Sequence, residues 1–403
     1  MTTRRLILVA AAAAAALLSG AAVTHGVLRA AAAHAAARTE LTEPARRDAD
    51  IAFFARRVAA DPIGAADRAR LAALYLQRGR ETGDFGDYRR AEQLARRSLA
   101  LRVAHNGNTY GLLTAALLAQ HRFLEALAAA RALAALEPRV PRHQAVLAEI
   151  ELELGRYREA RALFDSLWPA RHDLAVAPRV ARWAELTGRT ELARRLLDRA
   201  LADARGRADL PAEQLAWFHL RVGDLALRHG RLEDAAWALR AGLAARPGDY
   251  RLLAALARLE AARGRWRSAI AYGEDAIAAV PDPATLGLIS DAYQALGDSI
   301  TAAQYAHAME VAVAGQPGQW HRAWSLFLLD HERRVPEVLA RVRAELATRT
   351  DVYGYDLLAW ALHRAHRDGE ARAAMTRALA LGTDDPQLRA HAAAIAQGLG
   401  EAP

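Results

Sequence analysis

His363 and His366 stand three residues apart, with Asp368 and Glu370 close behind. Imidazoles at that spacing beside carboxylates are residue types that hold zinc. Two features argue against it. His366 falls at a turn position of a repeat, and no second His-rich helix supplies the remaining ligands. His331-Glu332 beside Arg333 and Arg334 reads as a solvated turn. Nucleophilic chemistry is thin as well. The chain has no Cys, which excludes disulfides, thiolate metal sites, a Cys nucleophile and a lipid-modified N-terminal Cys. No Gly-x-Ser-x-Gly elbow occurs. Without any Lys there is no phosphate-cradling Gly-x-x-x-x-Gly-Lys loop. The expectation is no catalytic residue, no cofactor, no metal and no small-molecule substrate.

Charge excludes less than it first suggests. The formal net charge is +8, with 54 basic residues against 46 acids. Four of the 54, Arg4, Arg5, Arg29 and Arg38, lie before the first acid, Glu40, so the rest stands at 50 against 46. All basic residues are Arg, and Arg fills outer helix positions where Lys would serve, which reads as codon bias. The charges are mixed along the chain, not gathered in a stripe, so no nucleic-acid partner is expected.

The elements that position these side chains follow from a repeat. A turn-forming residue, often Gly, is followed five positions later by Ala. The pairs are Gly155 and Ala160, Gly188 and Ala193, Gly230 and Ala235, Gly264 and Ala269, Gly297 and Ala302. Turn positions fall at Gly86, His121, Gly155, Gly188, Gly230, Gly264, Gly297, His331, His366 and Gly400. Their steps are 35, 34, 33, 42, 34, 33, 34, 35 and 34. Such a period predicts stacked supersecondary units. Gly permits a left-handed backbone at the turn, and the Ala must be small where two helices approach. Pro138, Pro247 and Pro281 mark unit ends. The long step predicts a loop or helix extension at 204–213, and Gly79 to Gly86 a second insertion. Pro336 stands where Ala belongs after His331, so that unit is the least regular.

These residues resemble the tetratricopeptide repeat family, whose turn reads Leu-Gly-x-aromatic-x-x-Ala. Leu154-Gly155-Arg156-Tyr157-Arg158-Glu159-Ala160, continuing into Phe164, is similar to it throughout. Arg263-Gly264-Arg265-Trp266 and Leu296-Gly297-Asp298 match in part. The resemblance implies an all-α, right-handed α-solenoid of about nine to ten helix–turn–helix units over residues 61–400. It also implies that first helices line a concave face that holds a protein or peptide. Counting the turn residue as fifteenth, inward positions two, five, nine and twelve give Arg142, Glu149, Arg182, Trp217, Asp224, Arg251, Arg258, Asp291, Gln294 and Trp360 as partner-binding candidates. Asn108, Ala115, Leu118, Tyr353 and His321 are inward by the same count. Trp320, Trp324 and Trp360 have two readings, core packing or an aromatic patch.

The N-terminus carries its own signal. Arg4-Arg5, an apolar run from Leu6 to Leu18 and then Ser19-Gly20-Ala21-Ala22 follow the order of an export signal. Extended to Leu28, the run is also long enough to cross a bilayer of roughly 30 Å as a helix. Residues 1–28 are therefore a cleaved signal or a membrane anchor, and 29–60 an Ala-rich spacer. Either reading puts the repeats on the extracytoplasmic, periplasmic side of a bacterial membrane. The expected function is a non-enzymatic envelope scaffold. A transient assembly chaperone for exported or cofactor-bearing proteins is the alternative, and a metal-dependent enzyme near His363 comes third.

Overall fold

The computed structural model describes residues 42–401 apart from 103 and 316–321. The leader 1–28, the start of the spacer, Trp320 and His321 lie outside the described residues. Every regular element among the described residues is helical. None of these helices is long and apolar enough to cross a membrane. Helix α1 (Glu43–Ala60) falls within the expected spacer and, to Ala59, belongs to a compact unit of its own.

The second unit holds the array. Its pairs are α2 (Ala65–Thr82) with α3 (Phe85–Leu101), α4 (Gly107–Ala119) with α5 (Phe123–Leu136), and α6 (Pro141–Glu153) with α7 (Tyr157–Ser166). Next come α8 (Ala177–Leu186) with α9 (Thr190–Arg205), α10 (Ala212–Arg228) with α11 (Leu232–Ala245), and α12 (Tyr250–Ala262) with α13 (Trp266–Ala279). The last are α14 (Pro283–Ala295) with α15 (Ser299–Ala314), α16 (Arg322–Asp330) with α17 (Val335–Glu345), and α18 (Val352–Arg364) with α19 (Asp368–Ala378). A single helix, α20 (Pro386–Gly398), follows. Each helix packs on its pair partner, and most second helices also pack on the first helix of the next pair. First helices of successive pairs also stack on one another at most junctions and form the inner layer.

Turn chemistry explains the recurrence. Gly155 takes φ +76°, its N–H donates to the Leu152 carbonyl (3.0 Å), and the Arg156 N–H donates to the Glu151 carbonyl (2.9 Å). These bonds satisfy carbonyls left open at the helix end. His121 and His366 adopt the same left-handed backbone, φ +55° and +57°, without glycine's freedom. Ala160, Ala193, Ala235 and Ala269 are fully buried and Ala302 nearly so, each where its helix crosses its partner.

Two turn positions move. The first lies at Gly83 (φ +69°), not Gly86. Asp84 caps α3 by accepting from the Gly86 N–H (2.7 Å), so Gly86 is inside the helix. There Tyr88 lies four residues into α3, and Gly79 on α2 makes room for it: a Cβ on Gly79 would sit 2.7 Å from Tyr88 Cε1. The other lies at Glu332 (φ +54°), not His331. Its N–H donates to Leu329, and an extra left-handed residue, Arg334 (φ +51°), precedes α17. Pro336 therefore sits in the first turn of α17, where it costs no hydrogen bond, and buried Val338 takes the crossing position. The long step is taken up mainly by longer helices: α9 runs 16 residues and α10 runs 17. Trp324 is core, stacked on Phe327 at 5.9 Å.

Within this unit the array also comes back on itself. Arg349 Nε donates to the Glu153 carbonyl (2.8 Å) and its Nη2 to the Glu153 carboxylate (2.9 Å). The Thr350 N–H reaches the Leu154 carbonyl (3.3 Å), and the Val352 N–H donates to Tyr157 Oη (2.6 Å). Thr190 donates to Asp384 (2.7 Å). The first pair meets the fifth likewise, with Arg80 3.7 Å from Glu213 and Arg246 3.8 Å from Glu81. These polar seams join residues far apart in sequence, and Arg349 of the first lines cavities beside it.

Candidate functional site

One of these cavities, about 580 Å³, is lined by arginines from several units. Helix α8 places Arg182 and Glu185 three apart on one face. Helix α10 places Trp217, Arg221, Asp224 and Arg228 at i, i+4, i+7 and i+11, again one face. Arg258 comes from α12, Arg322 from α16, Arg349 from the loop before α18, and Tyr353 from α18 itself.

Tyr353 organises one wall. Arg182 and Arg322 stand over its ring at 5.2 and 4.9 Å, two cation–π contacts. Its hydroxyl accepts from Arg182 Nη2 (2.7 Å) and lies 3.2 Å from Asp385. Burial, and then Asp385, push the phenol pKa up, so it stays protonated and can donate to that carboxylate.

Glu185 organises the other. It accepts from Arg182 Nη1 (2.7 Å) and Arg228 Nε (2.8 Å), with His229 3.8 Å away. Burial pushes its carboxyl up, but His229, Arg182 and Arg228 outweigh burial and hold it well below the usual range. Arg258 donates to Asp224 (2.9 Å), and Arg322 donates to fully buried Asp356 (2.7 Å), which His391 also meets at 2.7 Å. The arrangement can neutralise and orient an anionic group. It places no nucleophile beside a base.

Of the predicted residues, Arg182, Arg258 and Tyr353 line this cavity, and Asp224 joins them through Arg258. The others lie elsewhere. Arg142 lines a second cavity of about 320 Å³ with Asn108, Ala115 and Leu118, and Glu149 holds Arg179 at its edge (2.8 Å). Trp217 is half-buried, edge-on to Phe218 at 5.1 Å. Arg251 is spent on Asp249 (2.8 Å) and Glu213 (3.1 Å). Asp291 meets His331 (2.8 Å), and Gln294 is exposed. Trp360 donates to Asp330 (2.8 Å) and stacks on His391 at 4.3 Å. His363 is held to Asp368 (2.6 Å), and no trio of His, Asp or Glu poised for a metal occurs among the described residues.

Repeat register missed Arg221, Arg228, Arg322 and Arg349. The 217–221–224–228 spacing on α10 was a usable signal for the first two. Arg349 carried none, because it reaches the site only through the seam.

Comparison with known proteins gives the following. The tetratricopeptide repeat family model matches residues 117–182. No curated protein matches. Among solved structures, the chain is similar to PilW, described as a widely conserved type IV pilus biogenesis factor. That match has 20% identity and a TM-score of 0.43, and covers 56% of this chain and 99% of that one. MamA (AMB-1) matches at 20% identity and a TM-score of 0.34, covering 43% of this chain and 98% of that one. The human IFIT1 dimer with PPP-AAAA matches at 15% identity and a TM-score of 0.44, covering 80% and 91%.

Proposed function

Starting from a tetratricopeptide-repeat chain, we propose that this protein is a non-enzymatic scaffold that holds a segment of a protein partner inside its array. The observation that carries the reading is the convergence of inward residues from separate units. Arg182, Asp224 and Arg258 come from three consecutive first helices and meet around one cavity. Its volume is in the range that takes a short stretch of chain. The cavity offers guanidinium and phenol groups with no nucleophile–base pair, which suits holding rather than turnover. The order of residues 1–28 supports placing the array outside the cytoplasmic membrane, by signal or anchor.

The test uses Ala254, half-buried on α12 and one turn before Arg258. An Arg side chain there fills space beside the cavity. In a mild crosslinking pull-down from membranes, A254R should lose the partner while far-UV circular dichroism stays unchanged. Undiminished capture by A254R overturns the groove. Sequencing the N-terminus of the same sample distinguishes a cleaved signal from an anchor.

A further inference from the structure

The cavity carries more hydrogen-bonding capacity than the chain itself uses. A guanidinium has five N–H donors. Among the described residues, Arg228 spends only Nε, on Glu185, and Arg258 only Nη2, on Asp224. Arg322 spends Nη2 on Asp356, and its Nε is buried with no acceptor. A buried donor left without a partner is costly, so such an atom marks a place where an acceptor belongs.

Arg221 sharpens this. It lies on the same face of α10 as Asp224 and Arg228, yet among the described residues it makes no hydrogen bond or ion pair. Burial, then Arg228, push its pKa below the usual arginine range, while Asp224 pulls the other way. The chain has placed a cation among cations and given it no counter-charge within contact.

The acids of the lining do not meet this need. Asp351 is bonded to Arg349 (2.8 Å) and caps α18 through the Tyr353 N–H (2.9 Å). Asp385 faces Tyr353 and caps α20 through the Gln387 N–H (3.0 Å). Burial, and then Asp351, push the Glu345 carboxyl up, against the pull of Arg349.

We propose that this cavity seats carboxylates of the bound segment, against the open edges of Arg228, Arg258 and Arg322 and beside Arg221. The proposal rests on the reading that the array holds a partner segment, and adds that the segment is acidic where it enters. Glu185, Asp224, Asp351, Asp356 and Asp385 stand against Arg182, Arg221, Arg228, Arg258, Arg322 and Arg349, which leaves a small positive surplus. The surplus suits one or two carboxylates, not a run of phosphates.

The experiment measures fluorescence anisotropy with the full chain. The probes are a fluorescein-labelled dodecapeptide of Ala and Ser bearing three Glu, its Gln counterpart, and a labelled oligouridylate of equal length. The Glu peptide should bind about tenfold tighter than the Gln peptide, a gap that narrows as NaCl rises from about 50 to 300 mM. R228M and R221M should each weaken the Glu peptide by about tenfold and leave the Gln peptide unchanged. Melting of R221M should be no lower than that of the parent chain, so that weaker binding is not unfolding. Succinate competing as well as the Glu peptide supports the carboxylate seat and assigns a free dicarboxylate as its source. Equal binding of the two peptides, binding of neither, or tighter binding of the oligouridylate overturns the proposal. If A254R abolishes partner capture while R221M and R228M leave it intact, the groove stands and the acid seat falls. If the Glu peptide binds through Arg228 while A254R still captures the partner, the groove reading falls instead.

Discussion

Gly155 and Gly264 occupy the same repeat position and nearly the same backbone, φ +76° and +70°. Replacing either by Ala puts a Cβ on a left-handed residue, at about 1–2 kcal/mol. Their surroundings differ. A Cβ on Gly264 meets nothing within 4 Å. On Gly155 it would stand 2.3 Å from the Thr350 carbonyl oxygen and 2.4 Å from its carbon. Backbone cannot swing aside as a side-chain tip can, so the loop before α18 must retreat by about an ångström to restore van der Waals contact. That retreat strains the Thr350–Leu154 bond, the two Arg349–Glu153 bonds and the Val352–Tyr157 bond. Neutral hydrogen bonds contribute about 0.5–1.5 kcal/mol each and charged ones about 1.5–3. Partial loss of this set makes Gly155→Ala about 2–4 kcal/mol worse than Gly264→Ala.

Urea unfolding of the two variants and the parent measures that difference. Hydrogen–deuterium exchange locates it: the amides of Thr350 and Val352 should lose protection in Gly155→Ala and keep it in Gly264→Ala. Equal destabilisation, with exchange at 350 and 352 unchanged in both, would refute the seam as a contributor to stability. It would also remove the reason for Arg349 to stand at the cavity.

Two further outcomes follow from the same physics. Gly79→Ala should destabilise by about 1–3 kcal/mol, because its Cβ would meet the Tyr88 ring at 2.7 Å. In a Tyr88→Leu background the sign should reverse, since Ala is the better helix former by about 1 kcal/mol, and additive effects in urea melts would sink the argument. Acid should weaken the fold: burial pushes the carboxyls of Asp87, Asp249 and Glu185 up, but neighbouring arginines, and His229 at Glu185, hold all three below their ordinary values. A depressed folded-state pKa gives stability that is complete above the unfolded value and lost as pH falls through the folded one. The melting temperature should therefore drop steeply below about pH 4, and Asp249→Asn should be less stable than the parent chain at pH 7 but closer to it at pH 3.

Sequence carried the architecture further than the site. Eight of the ten turn positions read from spacing have a left-handed backbone in the structure, because the residue after a helix end is a local matter. The two misplaced turns had local signals too. Thr82-Gly83-Asp84 sets a turn glycine before a capping Asp, and Val335-Pro336 marks a helix start two residues later than the period requires. The site depended on what is not local. Inward register found Arg182, Asp224, Arg258 and Tyr353, which the repeat itself delivers. Arg349 reaches the cavity because residues 349–352 fold back on 153–157, nearly two hundred positions earlier. Nothing in a 34-residue period encodes that return. Gly155 and Gly188 show the same limit. Their period matches that of Gly264, yet only they have another backbone within 2.3 Å of a Cβ.

The reading of arginine as codon bias divides along the same line. At exposed pairs such as Arg199 with Asp203 or Arg161 with Asp165, a Lys would serve, and surface pairs contribute little in any case. Elsewhere the planar fork is used as a fork. Arg78 grips both oxygens of buried Asp87 through Nε and Nη2, at 2.6 and 2.8 Å. Arg251 holds Asp249 with two nitrogens and Glu213 with the third. Arg349 joins a carbonyl and a carboxylate while its guanidinium lies over the Phe123 ring at 4.8 Å. One ammonium cannot span two acceptors and cover a ring at once. Composition alone cannot separate these uses, because the chain writes every cation as Arg. What separates them is the number of acceptors each guanidinium meets: two or three at the seams, one at Arg228, Arg258 and Arg322, and none at Arg221. Arg228, Arg258 and Arg322 line the cavity with donors to spare, and Arg221 lies on the same helix face as Arg228.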